Sequence, residues 1–289
     1  MVKLGLAFAM LAACGDPAAT ADAGDPNDLD GDGIANADDN CPRNTNANQH
    51  DEDGDGVGDV CDNCPSIANA NQSDLTEQGL MQFPDGVGDA CDLRLALAGD
   101  KLAAFFPFAT DAEAMAFRGS GWAIASDVLH TDATATWGSV RSAPGLGIAA
   151  EALVASIAWN DPAGSFTVGV DGDGITGGTA CTISADRDAD GADEIDLTEL
   201  GAATAHASLD AAITAGKPLA VTTWRVIDTL HQTGKVTCIV KYAGATKTLM
   251  IATADDVWVG TYGIAATMAT VDTSSLAIYT SPLPPSKNN

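Results

Sequence analysis

The sequence predicts a mainly β protein in two parts: an irregular, disulfide-stapled repeat stalk over residues 28–92, then a β-sandwich of jelly-roll type over residues 93–281. Three observations predict it. Acidic residues crowd the N-terminal third, a cysteine- and aspartate-bearing unit recurs there, and from Leu93 onward the texture changes. Short β-branched and aromatic segments then alternate with Gly/Asp/Thr turns, the pattern of many short strands.

The formal net charge is −27. Residues 15–92 carry 19 acidic side chains against the single base Arg43, while residues 93–289 carry 21 against 11. So negative a surface repels nucleic acid and anionic headgroups, which removes nucleic acid from the expected partners. It suits cations.

The first residues read as an export signal. Lys3 is a minimal positive region, Leu4–Met10 is apolar, and Leu11-Ala12-Ala13-Cys14 ends the segment with small residues. That tetrapeptide resembles a bacterial lipobox, which implies lipidation of Cys14. The expectation is a signal peptide over 1–13 and a flexible tether over 14–27. The protein is then exported and held by its lipid to the membrane of a bacterial cell envelope, at the outer membrane or cell surface. Setting Cys14 aside leaves Cys41, Cys61, Cys64, Cys91, Cys181 and Cys238, an even number that fits three disulfides in an oxidising compartment. Residues 282–289 read as a tail.

The internal repeat is explicit. Cys41-Pro42 followed by Asn46-Ala47-Asn48-Gln49-His50-Asp51 returns as Cys64-Pro65 followed by Asn69-Ala70-Asn71-Gln72-Ser73-Asp74. Gly58-Asp59-Val60-Cys61-Asp62 returns as Gly88-Asp89-Ala90-Cys91-Asp92, with an insertion in between. Each unit holds a twelve-residue loop with oxygen-bearing side chains at fixed places. Asp28, Asp30, Asp32, Asn36 and Asp39 occupy positions 1, 3, 5, 9 and 12 of the first, with Gly33 at position 6; Asp51, Asp53, Asp55, Asp59, Asp62 and Gly56 repeat the set. Alternating carboxylates plus the backbone carbonyl at position 7, here Ile34 or Val57, make a flexible cage of hard oxygens suited to Ca2+. From Asp28 to Asp92 only ten residues are Leu, Ile, Val, Met or Phe. That is too few to offset ordering the segment at ~1–2 kcal/mol per residue, so bound metal is expected to stabilise it.

EF-hands use a similar loop, but no helical pattern flanks either copy here. The combination of these loops with Asp39-Asn40-Cys41-Pro42 and Asp62-Asn63-Cys64-Pro65 resembles the thrombospondin type 3 repeat. The resemblance implies a chain wrapped around calcium ions, with cysteines paired Cys41–Cys61 and Cys64–Cys91. The third loop keeps Asp85, Gly86, Asp89 and Asp92 but has Met81 and Phe83 where the first two aspartates belong, so a complete third site is not expected.

In the second part, strands are expected at Trp122–Ala125, Leu153–Trp159, Ser165–Val170, Cys181–Ser184, Leu219–Val226, Lys235–Tyr242, Thr248–Ala252, Val257–Ile264 and Ser275–Tyr279. Weak helical periodicity falls at Ala112–Phe117 and Ala202–Ala215. Phe117-Arg118-Gly119-Ser120-Gly121-Trp122 with Asp127–Leu129, and Gly260–Ile264 with Ser275–Tyr279, resemble the opening and closing strands of concanavalin-like and laminin-G-like sandwiches. That resemblance implies a lectin-like head with a glycan or extracellular polymer as partner, and so an adhesive or ligand-displaying role. Cys181 and Cys238 are expected to staple the head.

Glu194-Ile195-Asp196-Leu197-Thr198-Glu199 matches the signature of family 16 glycoside hydrolases. In a retaining mechanism Glu194 would be the nucleophile and Glu199 the acid/base. On a regular strand the two point to opposite faces, so a bulge would be needed. Asp186–Gly191 is half of another cation loop, with Leu197 where the last ligand belongs. Gly172–Gly177 formally matches a dinucleotide fingerprint but precedes a strand-like run rather than a helix. Trp137 is the best candidate for sugar stacking. The histidines are scattered. The reading is therefore a non-enzymatic, calcium-binding, surface-tethered protein, with a hydrolase using Glu194 and Glu199, or a purely structural envelope protein, as rivals.

Overall fold

A computed structural model describes residues 26–76, 83–95, 99–109, 120–132, 138–141, 148–161, 163–170, 178–185, 191–199, 202–228, 233–254 and 261–282. The chain divides into two compact units, Met1–His50 and Asp51–Asn289. The first described unit is the turn-rich first loop and the start of the second repeat. The second unit holds the second and third loops together with all the strands.

Those strands, fourteen among the described residues, form two antiparallel sheets. In chain order they are β1 (Lys101–Phe106), β2 (Trp122–Ala125), β3 (Val128–Thr131), β4 (Gly138–Arg141), β5 (Ile148–Asp161), β6 (Ser165–Val170), β7 (Thr179–Ser184), β8 (Glu194–Glu199), β9 (Ala202–Ser208), β10 (Pro218–Asp228), β11 (Thr233–Tyr242), β12 (Ala245–Ala254), β13 (Thr261–Thr267) and β14 (Thr270–Pro282). The larger sheet runs β12-β11-β10-β5-β14-β3-β2, with β1 also paired to β14; the smaller runs β4-β13-β6-β7-β8-β9.

Alternation places the core. Leu153, Ala155, Ile157 and Trp159 of β5 and Val236, Cys238 and Val240 of β11 face Phe166, Val168 and Val170 of β6 and Ile195 and Leu197 of β8, all buried. Cys181 on β7 and Cys238 on β11 form a disulfide, so the expected staple joins one sheet to the other through this core. Cys64–Cys91 is also bonded as the repeat resemblance implied, and Cys41 and Cys61 are each disulfide-bonded.

The expected strands are present, the 257–264 one as β13 from Thr261. The helical reading of 202–215 is corrected: residues 202–208 are β9, the edge of the smaller sheet, paired to β8. Its alanine-rich pattern carries helical propensity, but pairing with β8 outweighs so weak a preference. The segment at 112–117 lies outside the described residues.

The larger sheet has a second apolar face. Ala150, Ala152 and Val154 of β5 and Ala277 and Tyr279 of β14 pack with Cys64, Val87, Cys91 and Leu93 of the repeat segment. A sheet face open to water would carry polar residues here. Instead β5 from Ala152 to Ile157 carries Ala152 and Val154 on this face and Leu153, Ala155 and Ile157 on the other, apolar residues on both sides, as strands covered on both faces do. The alanines are short enough to admit the Cys64–Cys91 hairpin, so the second and third loops are seated on the sandwich.

Candidate metal centres

The two complete loops are built by the same hydrogen bonds. In the first, Asp28 accepts from Gly31 N at 2.8 Å through Oδ1 and from Gly33 N at 3.0 Å through Oδ2. Asp30 Oδ1 accepts from Asp32 N at 3.2 Å, Asp32 Oδ1 from Ile34 N at 2.8 Å, and Asn36 Oδ1 from Leu29 N at 3.0 Å. The second repeats each one. Asp51 takes Gly54 N and Gly56 N at 2.9 Å, Asp53 takes Asp55 N at 3.1 Å, Asp55 takes Val57 N at 2.8 Å, and Asp59 takes Glu52 N at 3.0 Å. These are short side-chain-to-backbone turns, the local geometry that aspartate favours over regular structure. Gly33 and Gly56 sit at φ of 95° and 93°, where a side chain would be strained.

The turns leave specific oxygens over. Asp28, Asp30 and Asp32 each present an oxygen within 4.8 Å of the others, and so do Asp51, Asp53 and Asp55. Asp30 Oδ2, Asp39 Oδ2 and Asp53 Oδ2 are buried and accept no hydrogen bond. A buried anionic oxygen without a donor is costly, and several in one cluster repel each other. Hard carboxylate oxygens at this spacing fit a divalent cation of the calcium type.

The electrostatics agree. Burial first, then Asp55 and Asp62, push the Asp53 carboxyl up to about 7, against the opposing Asp55 N–H. Burial, followed by Asp59, Asp127, Asp51 and Asp53, raises Glu52 to about 8. Asp30 is raised by burial and by Asp32, Asp39 and Asp28, with the Asp32 N–H opposing.

Asp39 and Asp62 close their loops and also anchor the next segment. Asp39 Oδ1 accepts from Cys41 N and Gln49 Nε2, both at 2.8 Å; Asp62 Oδ1 accepts from Cys64 N and Gln72 Nε2, both at 2.7 Å. Gln72 also accepts from Asn63 N at 2.9 Å, and Asn69 Nδ2 donates to Asn63 Oδ1 at 2.7 Å. The recurring Asn-Ala-Asn-Gln is therefore a polar clamp behind each loop. Sequence reasoning saw the repeat and assigned it no work.

The third loop departs from the pattern in a way the sequence reading missed. Gly86 N donates to Asp74 Oδ2 at 2.9 Å, the bond Gly33 and Gly56 make to Asp28 and Asp51. Asp74 thus stands in for the first aspartate, and the insertion follows it. The signal was available, because Asp74 aligns with Asp51 in the repeat. Position 3 is Phe83, 89% exposed. Asp89 takes Ser73 Oγ at 2.6 Å, which holds its carboxyl below the ordinary value. Asp85 Oδ2 accepts from Gly99 N and Asp100 N, each at 2.7 Å, and so ties the loop to the start of β1. Asp100 continues the tie through Arg94 at 3.0 Å and through Ser281 Oγ.

One residue of the sandwich joins this region. Tyr279 of β14 is fully buried under the Cys64–Cys91 hairpin, and its hydroxyl has no hydrogen-bond partner. Burial, then the carboxylates of Asp62 and Asp53, push the phenol up. A cavity of about 570 Å3 also opens between the second loop and the larger sheet, lined by Glu52, Asp53, Ser66, Thr222, Lys241 and Asp272 among others.

The other sequence candidates resolve as follows. The pairing of β7 with β8 runs without a register shift from Glu194 to Glu199, so these carboxylates lie on opposite faces. The irregularity near Leu197 falls between β8 and β9 and leaves that alternation in place. Asp196 instead pairs with His206 at 2.9 Å. Cys14, Trp137, residues 171–177 and residues 186–190 lie outside the described residues.

The thrombospondin type 3 repeat model matches residues 21–49 and 49–72, one match for each complete loop. No curated protein matches the chain in sequence. Among solved structures, the chain is similar to the CBM2 module of the Lactobacillus casei BL23 phage J-1 evolved Dit (9% identity, 64% of this chain and 97% of that one, TM-score 0.46). It is also similar to winged bean acidic lectin complexed with methyl-alpha-D-galactose (12% identity, 64% and 100%, TM-score 0.45). The carbohydrate-binding module CBM66 from Bacillus subtilis is a third (15% identity, 55% and 91%, TM-score 0.36). The sandwich assignment stands on the chain's own strand order and register.

Two outcomes are expected. Asp85→Ala strips the acceptor from three backbone N–H groups, those of Val87, Gly99 and Asp100, and should cost about 2–4 kcal/mol of stability, with or without calcium, in denaturant titrations. In chelator, Glu52 and Asp53 hold protons in the folded state that the unfolded chain releases. Stability of the chelated protein should therefore fall as pH rises from about 4 toward about 8, and a flat or rising melting temperature across that range would contradict it.

Proposed function

We propose that this is an exported calcium-binding protein whose metal-filled loops hold an adhesive or ligand-displaying β-sandwich at a bacterial cell surface. The observation that carries the calcium reading is the pair of three-aspartate clusters, each with a buried oxygen its own loop leaves without a donor. In the first loop Asp28, Asp30, Asp32, Asn36, Asp39 and the Ile34 carbonyl hold the ion. In the second, Asp51, Asp53, Asp55, Asp59, Asp62 and the Val57 carbonyl do so. The metal supplies positive charge to crowded carboxylates, and the bonded cysteines and amide clamps keep those carboxylates in place.

The anchoring part of the proposal rests on Leu11–Cys14, with the lipid on Cys14 holding the chain to the membrane and residues 15–27 as tether. The head's ligand is taken to be a glycan or envelope polymer. The cavity beside the second loop has a size suited to a small ligand or one sugar unit. Catalysis by Glu194 and Glu199 is not part of the proposal, since a retaining mechanism needs both carboxyls at one bond and regular β8 separates them.

Calorimetry on the full chain should find at least two calcium ions bound, at ~0.1–1 mM for a module of extracellular type. Asp30→Ala and Asp53→Ala should each remove one. Fewer than two ions in the unaltered protein would sink the reading. For the anchor, Cys14→Ser should move the protein from the detergent phase to the aqueous phase without changing its melting temperature; persistence in the detergent phase would rule out lipidation there.

A further inference from the structure

Tyr279 occupies the middle of the larger sheet, paired with Ala152 of β5 on one side and Leu102 of β1 on the other. Its neighbours on β5 in the outward-facing cluster, Ala150 and Ala152, are small, and the ring packs in that cluster with the repeat segment. It is among the largest fully buried side chains of the protein. Most of its neighbours are apolar: Val87, Leu93, Ala277 and the Cys64–Cys91 bridge. Phenylalanine would serve such an environment better, because a buried hydroxyl without a partner is a desolvated donor that gains nothing.

The hydroxyl is nonetheless there, in a cluster that holds Cys64, whose N–H donates to Asp62 Oδ1 of the second loop at 2.7 Å, and Ile67, which lines one cavity with Asp53. The Asp62 and Asp53 carboxylates also push the phenol up. Asp53 carries the complementary defect, a buried Oδ2 that accepts no hydrogen bond. A buried donor and a buried acceptor in one neighbourhood, unbonded to each other, mark the surroundings of something that binds between or beside them. The first loop lies in the other compact unit, and no described residue of the sandwich is assigned to it.

We infer that the Tyr279 hydroxyl belongs to the second loop's cation site, donating a hydrogen bond to the oxygen shell of the bound ion and so coupling calcium occupancy of that loop to the sandwich. The inference rests on the calcium reading above and deepens it. Tyr279 is a positioning residue: it orients a carboxylate or a metal-held water and contributes no charge. Its effect is confined to the second loop, and it makes the two sites inequivalent although their ligand residues are nearly identical.

Tyr279→Phe is the test, because it keeps the ring and deletes only the donor. In an Asp30→Ala background, where the second loop reports alone, calorimetry should show calcium affinity lowered about three- to tenfold, the effect of one hydrogen bond. In an Asp53→Ala background the first loop's affinity should not change. In chelator the melting temperature of Tyr279→Phe should equal or exceed that of the unaltered protein, since an unsatisfied hydroxyl has been removed, while its rise on adding calcium should be smaller. Equal second-loop affinity with and without the hydroxyl would overturn the inference and leave the calcium reading intact. So would a loss of stability in chelator as large as that in calcium, which would mark Tyr279 as a packing residue. Absence of any calcium binding by the unaltered chain would remove the reading on which it rests.

Discussion

A carboxylate has two oxygens, and in the repeat loops the backbone satisfies them unevenly. Asp30, Asp39 and Asp53 each give one oxygen to a backbone turn and keep the other buried with no donor. The turns fix where the chain goes, and the leftover oxygens fix what it needs. With almost no aliphatic core between Asp28 and Asp62, the segment has little other than hydrogen bonds, disulfides and a counter-charge to hold it. The upward displacement of Glu52 and Asp53 is the same constraint expressed as proton affinity: lacking a cation, the folded loop holds protons instead.

This requirement reaches into the sandwich because the second loop is seated on it. The Cys64–Cys91 hairpin covers the alanine-lined face of β5 and β14, and Asp85 and Asp100 fasten the third loop to β1. The larger sheet is consequently covered on both sides, by the smaller sheet through the main core and by the repeat segment through the lesser one. The third loop illustrates a change of use. With Phe83 in place of the second aspartate, its remaining carboxylates serve as acceptors for N–H groups of neighbouring segments, and the loop works as a strap between repeat and sheet. The match of the repeat model, which ends at residue 72, leaves out this loop.

Much of the site was legible in the sequence because its code is local. An aspartate that bonds the N–H two residues ahead, and a glycine at positive φ five residues after the first ligand, are set by spacing alone. The turns of the two loops from Asp28 to Asp62 could therefore be read directly. The same holds for the strands, whose alternation marks two-sheet packing, and for the opposite orientation of Glu194 and Glu199 on β8. Asp74 was also legible, since it aligns with Asp51, but counting back from Asp92 across an insertion pointed to Met81 instead.

What only the tertiary structure decided is everything that depends on two distant segments meeting. The alanines of β5 gave no hint that a disulfide hairpin covers them, because a small apolar residue suits a core, a sheet face or a helix alike. Residues 202–208 became β9 because β8 offered an unpaired edge, and pairing outweighed a weak helical preference. Tyr279 read as one more strand aromatic until the fold buried it against the Cys64–Cys91 hairpin with its hydroxyl unpartnered. Sequence by itself determined the loops, because a turn spans few residues and its hydrogen bonds are made within them. The structure decided where those loops rest, because packing is a property of surfaces that no short window of sequence contains.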